Sequence, residues 1–64
     1  KLMPKRRIRI KHCSAFGDEF KNITRGSIHI VVDPPEGGET SRGVWVMGVT
    51  EPVLVFFNEF EFID

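Results

Sequence analysis

The chain contains no tyrosine, a single cysteine and a single tryptophan, and no acidic residue ahead of Asp18. Each scarcity excludes something. Cys13 alone cannot form an intramolecular disulfide, and small secreted domains ordinarily rely on such crosslinks, so a reducing, cytoplasmic setting is expected. No apolar run approaches the ~20 residues that span a bilayer, and no apolar core of about 7 to 15 residues near the start makes a signal peptide. A soluble chain with no membrane partner follows as the expectation. The soft metal ligands are His12, Cys13 and His29; a structural zinc site needs four, so no metal and no other cofactor is expected.

Catalytic patterns are also missing. Cys13 has no general base, because His12 precedes it directly and points to the opposite side of a strand. Gly37-Gly38 is not followed by the Lys and Ser/Thr of a phosphate-binding loop. Asp18-Glu19 and the pair Glu59 and Glu61 read as solvated carboxylates, the second pair about 6 to 7 Å apart on one strand face, as strand geometry gives to any alternate residues. No catalytic residue and no enzyme is expected. The sequon Asn22-Ile23-Thr24 has no meaning in a cytoplasmic chain.

What the chain does contain is β-forming sequence: six Phe, one Trp and a Val/Ile-rich remainder within 64 residues. That length makes one domain, which buries only about 60% of the surface of its unfolded chain. A small-molecule pocket of roughly 300 Å³ would hollow out most of its core, so activity is expected on the outside. The domain is placed at 3–64, with Met3-Pro4 as the expected native start and Lys1-Leu2 as a cloning remnant.

Arg7 to Cys13 alternates Ile8, Ile10 and His12 against Arg7, Arg9, Lys11 and Cys13, the period of a half-buried strand. Ser14 to Arg25 reads as a long irregular loop whose Phe16, Phe20 and Ile23 fold back onto the core; a helix over Asp18 to Ile23 would be too short to stand alone. Gly26 permits a turn into Ser27–Asp33, whose β-branched content makes a second strand, ended by Pro34-Pro35. Pro34 to Arg42 consists of turn formers and polar residues, an exposed loop. Two apolar runs, Gly43–Val49 and Val53–Phe57, are joined by a turn too short for a helix. Asn58 to Phe60 makes one tight turn before Glu61–Ile63, a fifth short strand.

This order of five short strands resembles the SH3-like barrel. Gly43-Val44-Trp45-Val46 stands where SH3 domains begin their third strand with Trp, and Phe56-Phe57-Asn58-Glu59-Phe60-Glu61-Phe62-Ile63 is similar to their closing strand, one-turn helix and last strand. The resemblance implies an all-β, small five-stranded SH3-like barrel. It does not bring the family's peptide recognition with it: an extended proline-rich ligand lies on a ladder of aromatic rings, and this chain has no Tyr and enters its first long loop through Ser14-Ala15-Phe16-Gly17. In size and style the chain also resembles short orphan proteins of bacteriophages and prophages.

Two features point to function. Trp45 shares a strand face with Met47 and Val49, opposite Val44 and Val46, so both faces of that strand are apolar. An exposed Trp beside Met is a protein-binding hot spot; a Trp capping an open barrel end is the alternative. Charge is the second feature: Lys1, Lys5, Arg6, Arg7, Arg9 and Lys11 precede every acid, although nine basic and nine acidic residues balance overall. A basic arm contacts nucleic-acid phosphates. In an SH3-like arrangement, however, the first and last strands are neighbours, so Arg7, Arg9 and Lys11 would meet Glu59, Glu61 and Asp64, with Lys5 and Arg6 left over.

The reading is a non-catalytic binding module, of the small phage type, that engages a cytoplasmic protein partner through Trp45, Met47 and the loop bearing Pro34, Pro35 and Arg42. A nucleic-acid-binding barrel using Lys5, Arg6, Arg7 and Arg9 is the alternative. A structural component of an oligomeric particle is the third, and an exposed strand edge would allow a homodimer.

Overall fold

The computed structural model describes residues 5–63. Among them there is no α-helix. Five strands, β1 (Arg7–Ile10), β2 (Ile28–Val32), β3 (Gly43–Met47), β4 (Pro52–Phe56) and β5 (Phe60–Phe62), are accompanied by single 3₁₀ turns at Asp18–Phe20 and Phe57–Glu59. The strands form one antiparallel sheet in the order β4-β3-β2-β1-β5. No helix in this range is long and apolar enough to cross a membrane.

β2 holds the two halves of the sheet together. Its first part pairs with β1, Ile8 opposite His29 and Arg9 opposite Ile28, and its last part pairs with β3, Val31 opposite Val46 and Val32 opposite Trp45. Ile8, Ile10 and Phe60 from one half and Val46, Val53 and Val55 from the other all belong to a single buried cluster. A flat sheet could not bring strands from both of its ends into one core, so the sheet is curled around β2. It is not closed: β4 and β5 remain edges, so of the expected architecture the structure gives the all-β, five-stranded antiparallel sheet.

The long loop covers one opening of that core. Ile23 is buried in the core cluster, and Phe20 and Cys13 pack against that cluster. The loop is tied to the β3–β4 turn by the Val49 N–H donating to the Glu19 carbonyl at 3.0 Å and the Asn22 amide donating to the Met47 carbonyl at 3.0 Å. Phe16, expected to fold inward, is 93% exposed. It lies before the first 3₁₀ turn, among residues that are mostly exposed themselves.

The first strand ends at Ile10, earlier than the alternation to Cys13 indicates. The reason is a carbonyl from the far end of the chain: the Lys11 and His12 N–H groups both donate to the Glu59 carbonyl, at 2.7 and 3.3 Å. Two consecutive N–H groups cannot point to one acceptor in an extended strand, where successive groups alternate in direction. The β3–β4 hairpin forms as expected, with five residues paired on each side and the Gly48 N–H closing its turn on the Glu51 carbonyl at 2.7 Å. At its open end Gly43 lies opposite Phe56, and a Cβ there would overlap the Val55 carbonyl oxygen. Only a residue without a side chain lets the two backbones meet so closely.

Candidate binding surfaces

Strand alternation divides the sheet into two unlike faces. One holds the core. On the other, the pairings Val32 with Trp45 and Trp45 with Leu54 set three apolar side chains in a row across β2, β3 and β4, and Met47 with Pro52 adds a second row. Ile28 and Ile30 extend this outer face along β2. Ile28, Ile30 and Met47 are each more than half exposed, whereas Val32, Trp45, Leu54 and Phe56 are half-buried. Val44 packs against the core and Val46 is fully buried within it. The two apolar faces read from the sequence are therefore one core face and one outer face.

The loop over Pro34 to Arg42 borders the outer face and fixes its tryptophan. The Trp45 indole N–H donates to the Glu39 carbonyl at 2.7 Å. Pro35 and Gly38 close a turn, with the Gly38 N–H donating to the Pro35 carbonyl at 2.8 Å. A Cβ on Gly38 would come within 2.9 Å of the Trp45 ring, so the turn packs directly on the indole. Pro34, Pro35 and Arg42 are exposed. The Arg42 guanidinium pairs with the Glu39 carboxylate, which raises its pKa, and lies 5.3 Å from the Phe56 ring centre. Trp45 thus adjoins this loop, and Met47 follows it two residues along the same strand face.

Arg42, Phe56, Phe57 and Asn58 line an open concavity of about 350 Å³ at the margin of the outer face. Phe56 and Phe57 diverge as neighbouring residues at a strand end must: Phe56 stays half-buried on the sheet, and Phe57 opens the second 3₁₀ turn with its ring 51% exposed.

The basic first strand is distributed rather than clustered. Arg9 pairs with Glu61 across the β1–β5 ladder, its Nε donating to Oε2 at 2.9 Å. Arg6, expected to be left over, places its guanidinium 3.9 Å from the Phe62 ring centre. Lys5 and Arg7 are exposed. Lys11 is exposed and does not engage the Glu59 side chain; Asp64 and Lys1 lie outside the described residues.

Glu59 departs most from its sequence reading. It is 4% exposed, not solvated, and it does not share a face with exposed Glu61. Its Oε2 accepts from the Ser14 N–H at 3.1 Å and from the Ser14 hydroxyl at 2.5 Å, with His12 Nδ1 3.7 Å away. Glu59 belongs to the 3₁₀ turn before β5 and not to the strand, so strand alternation with Glu61 does not set the direction of its side chain. His29, paired opposite Ile8, faces the core side, and partial burial lowers its pKa against an opposing hydrogen bond to the Asn22 backbone. Ser27 Oγ lies 2.6 Å from the Thr24 carbonyl and 2.7 Å from His29 Nε2. Among the described residues no group of three His, Cys, Asp or Glu side chains is arranged to hold a metal ion.

No family model, no curated protein and no solved structure matches this chain.

Proposed function

We propose that the chain is a non-catalytic, protein-binding module built as an SH3-like barrel, and that it engages its partner through the outer face of β2, β3 and β4. The strand order, the tight third hairpin and the 3₁₀ turn before a short last strand support the fold. The observation behind the function is the apolar outer face, on which Ile28, Ile30 and Met47 remain more than half exposed around a tryptophan held in place by the Glu39 carbonyl. Contiguous apolar surface of this kind marks interaction sites on small soluble proteins. A Trp whose orientation is fixed before binding loses little conformational freedom on contact, which is what a hot spot requires. The basic first strand by itself makes a weaker surface, because Glu61 engages Arg9.

The test is capture from lysate of the source cells, with and without nuclease, on immobilised protein, comparing the wild-type chain with Met47→Glu and Arg9→Glu. One protein should be retained by the wild type and by Arg9→Glu and lost with Met47→Glu. Retention that is indifferent to Met47→Glu, or that disappears with nuclease treatment, overturns the reading.

A further inference from the structure

The two edges of the sheet are unequal. β5 is three residues long and carries Glu61, whereas β4 reads Pro52-Val53-Leu54-Val55-Phe56, five residues without a charge. Short length, charged side chains and proline are the usual protection of an edge against a further strand. β4 has only the proline, at its first position.

The hairpin register fixes which backbone groups of β4 face outward. The Gly48 N–H donates to the Glu51 carbonyl and the Phe57 N–H to the Arg42 carbonyl, so the pairs that exchange hydrogen bonds fall at alternate positions between them, Val46 with Val53 and Val44 with Val55. The N–H and C=O groups of Leu54 and Phe56 therefore point away from β3. Among the described residues no other strand lies beside β4, and no backbone hydrogen bond takes up those outward groups. An apolar strand with two donors and two acceptors along its edge matches one more extended strand.

We propose that the occupant of this edge is a second copy of the chain, its β4 antiparallel to the first about a two-fold axis at Val55. Leu54 of each copy then lies opposite Phe56 of the other, and all the outward N–H and C=O groups of both residues are paired. Pro52 selects this register. Shifted by two residues, so that Leu54 faces Leu54, the ladder sets the Phe56 carbonyl against Pro52, which has no N–H to offer. In the selected register Pro52 falls outside the ladder and comes opposite Asn58, at the open concavity of about 350 Å³ that Asn58 lines with Arg42, Phe56 and Phe57. The pairing is isologous, and it closes at two copies because each β4 edge is used once. Charge does not oppose it: nine basic and nine acidic residues cancel, and no charged side chain stands on the strand. The contact is made by edge backbone and does not depend on the role of the outer face.

One short strand a side is far below the roughly 20–30 residues of a standard interface, so the dimer should dissociate within the range of about 10 µM to 1 mM. Sedimentation equilibrium of the full chain across that range gives the stoichiometry, and amide hydrogen exchange at its two ends reads the edge. The Leu54 and Phe56 N–H groups should become at least tenfold better protected as concentration rises, while those of Val53 and Val55, bonded to β3, stay protected throughout. In a mixture of labelled and unlabelled chain, an isotope-filtered NOE should join the Val55 Hα of the two copies, since a non-hydrogen-bonded antiparallel pair brings its Cα atoms to about 4.5 Å. Leu54→Lys, a charge on the edge, and Leu54→Pro, which removes the outward N–H and no bond to β3, should each weaken association at least tenfold. Each is checked for fold by its NMR amide spectrum, and the wild-type exchange and NOE stand without them. A monomer at every concentration overturns the proposal. So does a dimer in which Leu54 and Phe56 exchange as freely as in the monomer, or whose NOEs join Ile28 and Ile30 or β5 instead. Folded Leu54 variants that associate like the wild type overturn it too. Protection of the two amides only when the captured protein partner is added to a monomeric chain also overturns it, and assigns the edge to an extended segment of that partner.

Discussion

The hydroxyl of Ser14 donates to the buried carboxylate of Glu59 at 2.5 Å, joining positions 45 residues apart in the chain. With the Ser14 N–H on the same oxygen and the Glu59 carbonyl accepting from Lys11 and His12, this one residue ends β1 and anchors the start of the long loop. Removing the carboxylate as Glu59→Ala leaves the Ser14 donors without their acceptor inside the fold. The expected cost is about 1–3 kcal/mol, or a fall in Tm of roughly 4–8 °C for each kcal/mol in a domain of this size. Glu59→Gln keeps an acceptor and should lose less. Thermal unfolding by circular dichroism compares the two, and equal losses would contradict this, showing that neither a neutral acceptor nor the side-chain volume substitutes for the carboxylate.

Arg9 and Glu61 are directly opposed on β1 and β5, yet each side chain is about half exposed, 51% and 46%. Solvent screens such a pair, so Arg9→Ala should cost less than about 1 kcal/mol. The double exchange Arg9→Glu with Glu61→Arg should recover most of the stability lost in either single charge reversal. A double-mutant cycle in urea measures this, and additivity of the two reversals would mean that the cross-strand pair contributes nothing.

The two faces of the sheet predict opposite tolerances. Ile8 is fully buried, and Ile8→Ala should cost about 2–5 kcal/mol, enough to unfold much of a small domain. Ile30, one strand away but 51% exposed on the outer face, should accept Ile30→Thr within about 0.5 kcal/mol. Denaturant midpoints of the two variants test the assignment of faces, and similar losses at both positions would contradict it.

His29 gives the stability a pH dependence of known sign. Its pKa is lowered in the folded protein, chiefly by partial burial. As pH falls, the unfolded chain therefore takes up a proton near the ordinary histidine value of about 6.5 before the folded chain does. Stability should be level above that value and should decline below it until the folded imidazole also titrates. Tm measured from pH 7.5 downward should show this decline in the wild type and a shallower one in His29→Gln. An identical slope in both proteins would place the dependence elsewhere.

Much of the framework was legible in the sequence, and the exceptions share a cause. The β3–β4 hairpin and the alternation of Ile8 and Ile10 depend on residues close in the chain, where period and turn chemistry suffice. The premature end of β1, the burial of Glu59 and the position of Arg6 over Phe62 each depend on a partner about 45 residues or more away, which no local pattern encodes. Phe16 shows the converse: its hydrophobicity predicts burial, but the loop needs only Phe20 and Ile23 to cover the core. For the binding surface, alternation identified Trp45 and Met47 as one face. The contribution of Ile28 and Ile30 was missed because a β-branched run looks the same whether both faces are buried or one is open.

Trp45→Ala should abolish partner binding, a loss of 2 kcal/mol or more in affinity by the standard of interface hot spots. The indole is half-buried beneath the Pro35–Gly38 turn, so some loss of stability should accompany it, and Met47→Glu provides the same test at an exposed position. Isothermal titration with the captured partner reads both, and full affinity in both variants would remove the outer face from the interaction.

The most direct measurement is the NMR footprint of that partner on isotopically labelled protein. Perturbed amides and methyls should cluster at Ile28, Ile30, Trp45, Met47 and Leu54, with the core signals of Ile8 and Val46 little changed. A footprint confined to Arg7, Arg9 and the β5 edge, with the outer face of β2 to β4 silent, would contradict the account.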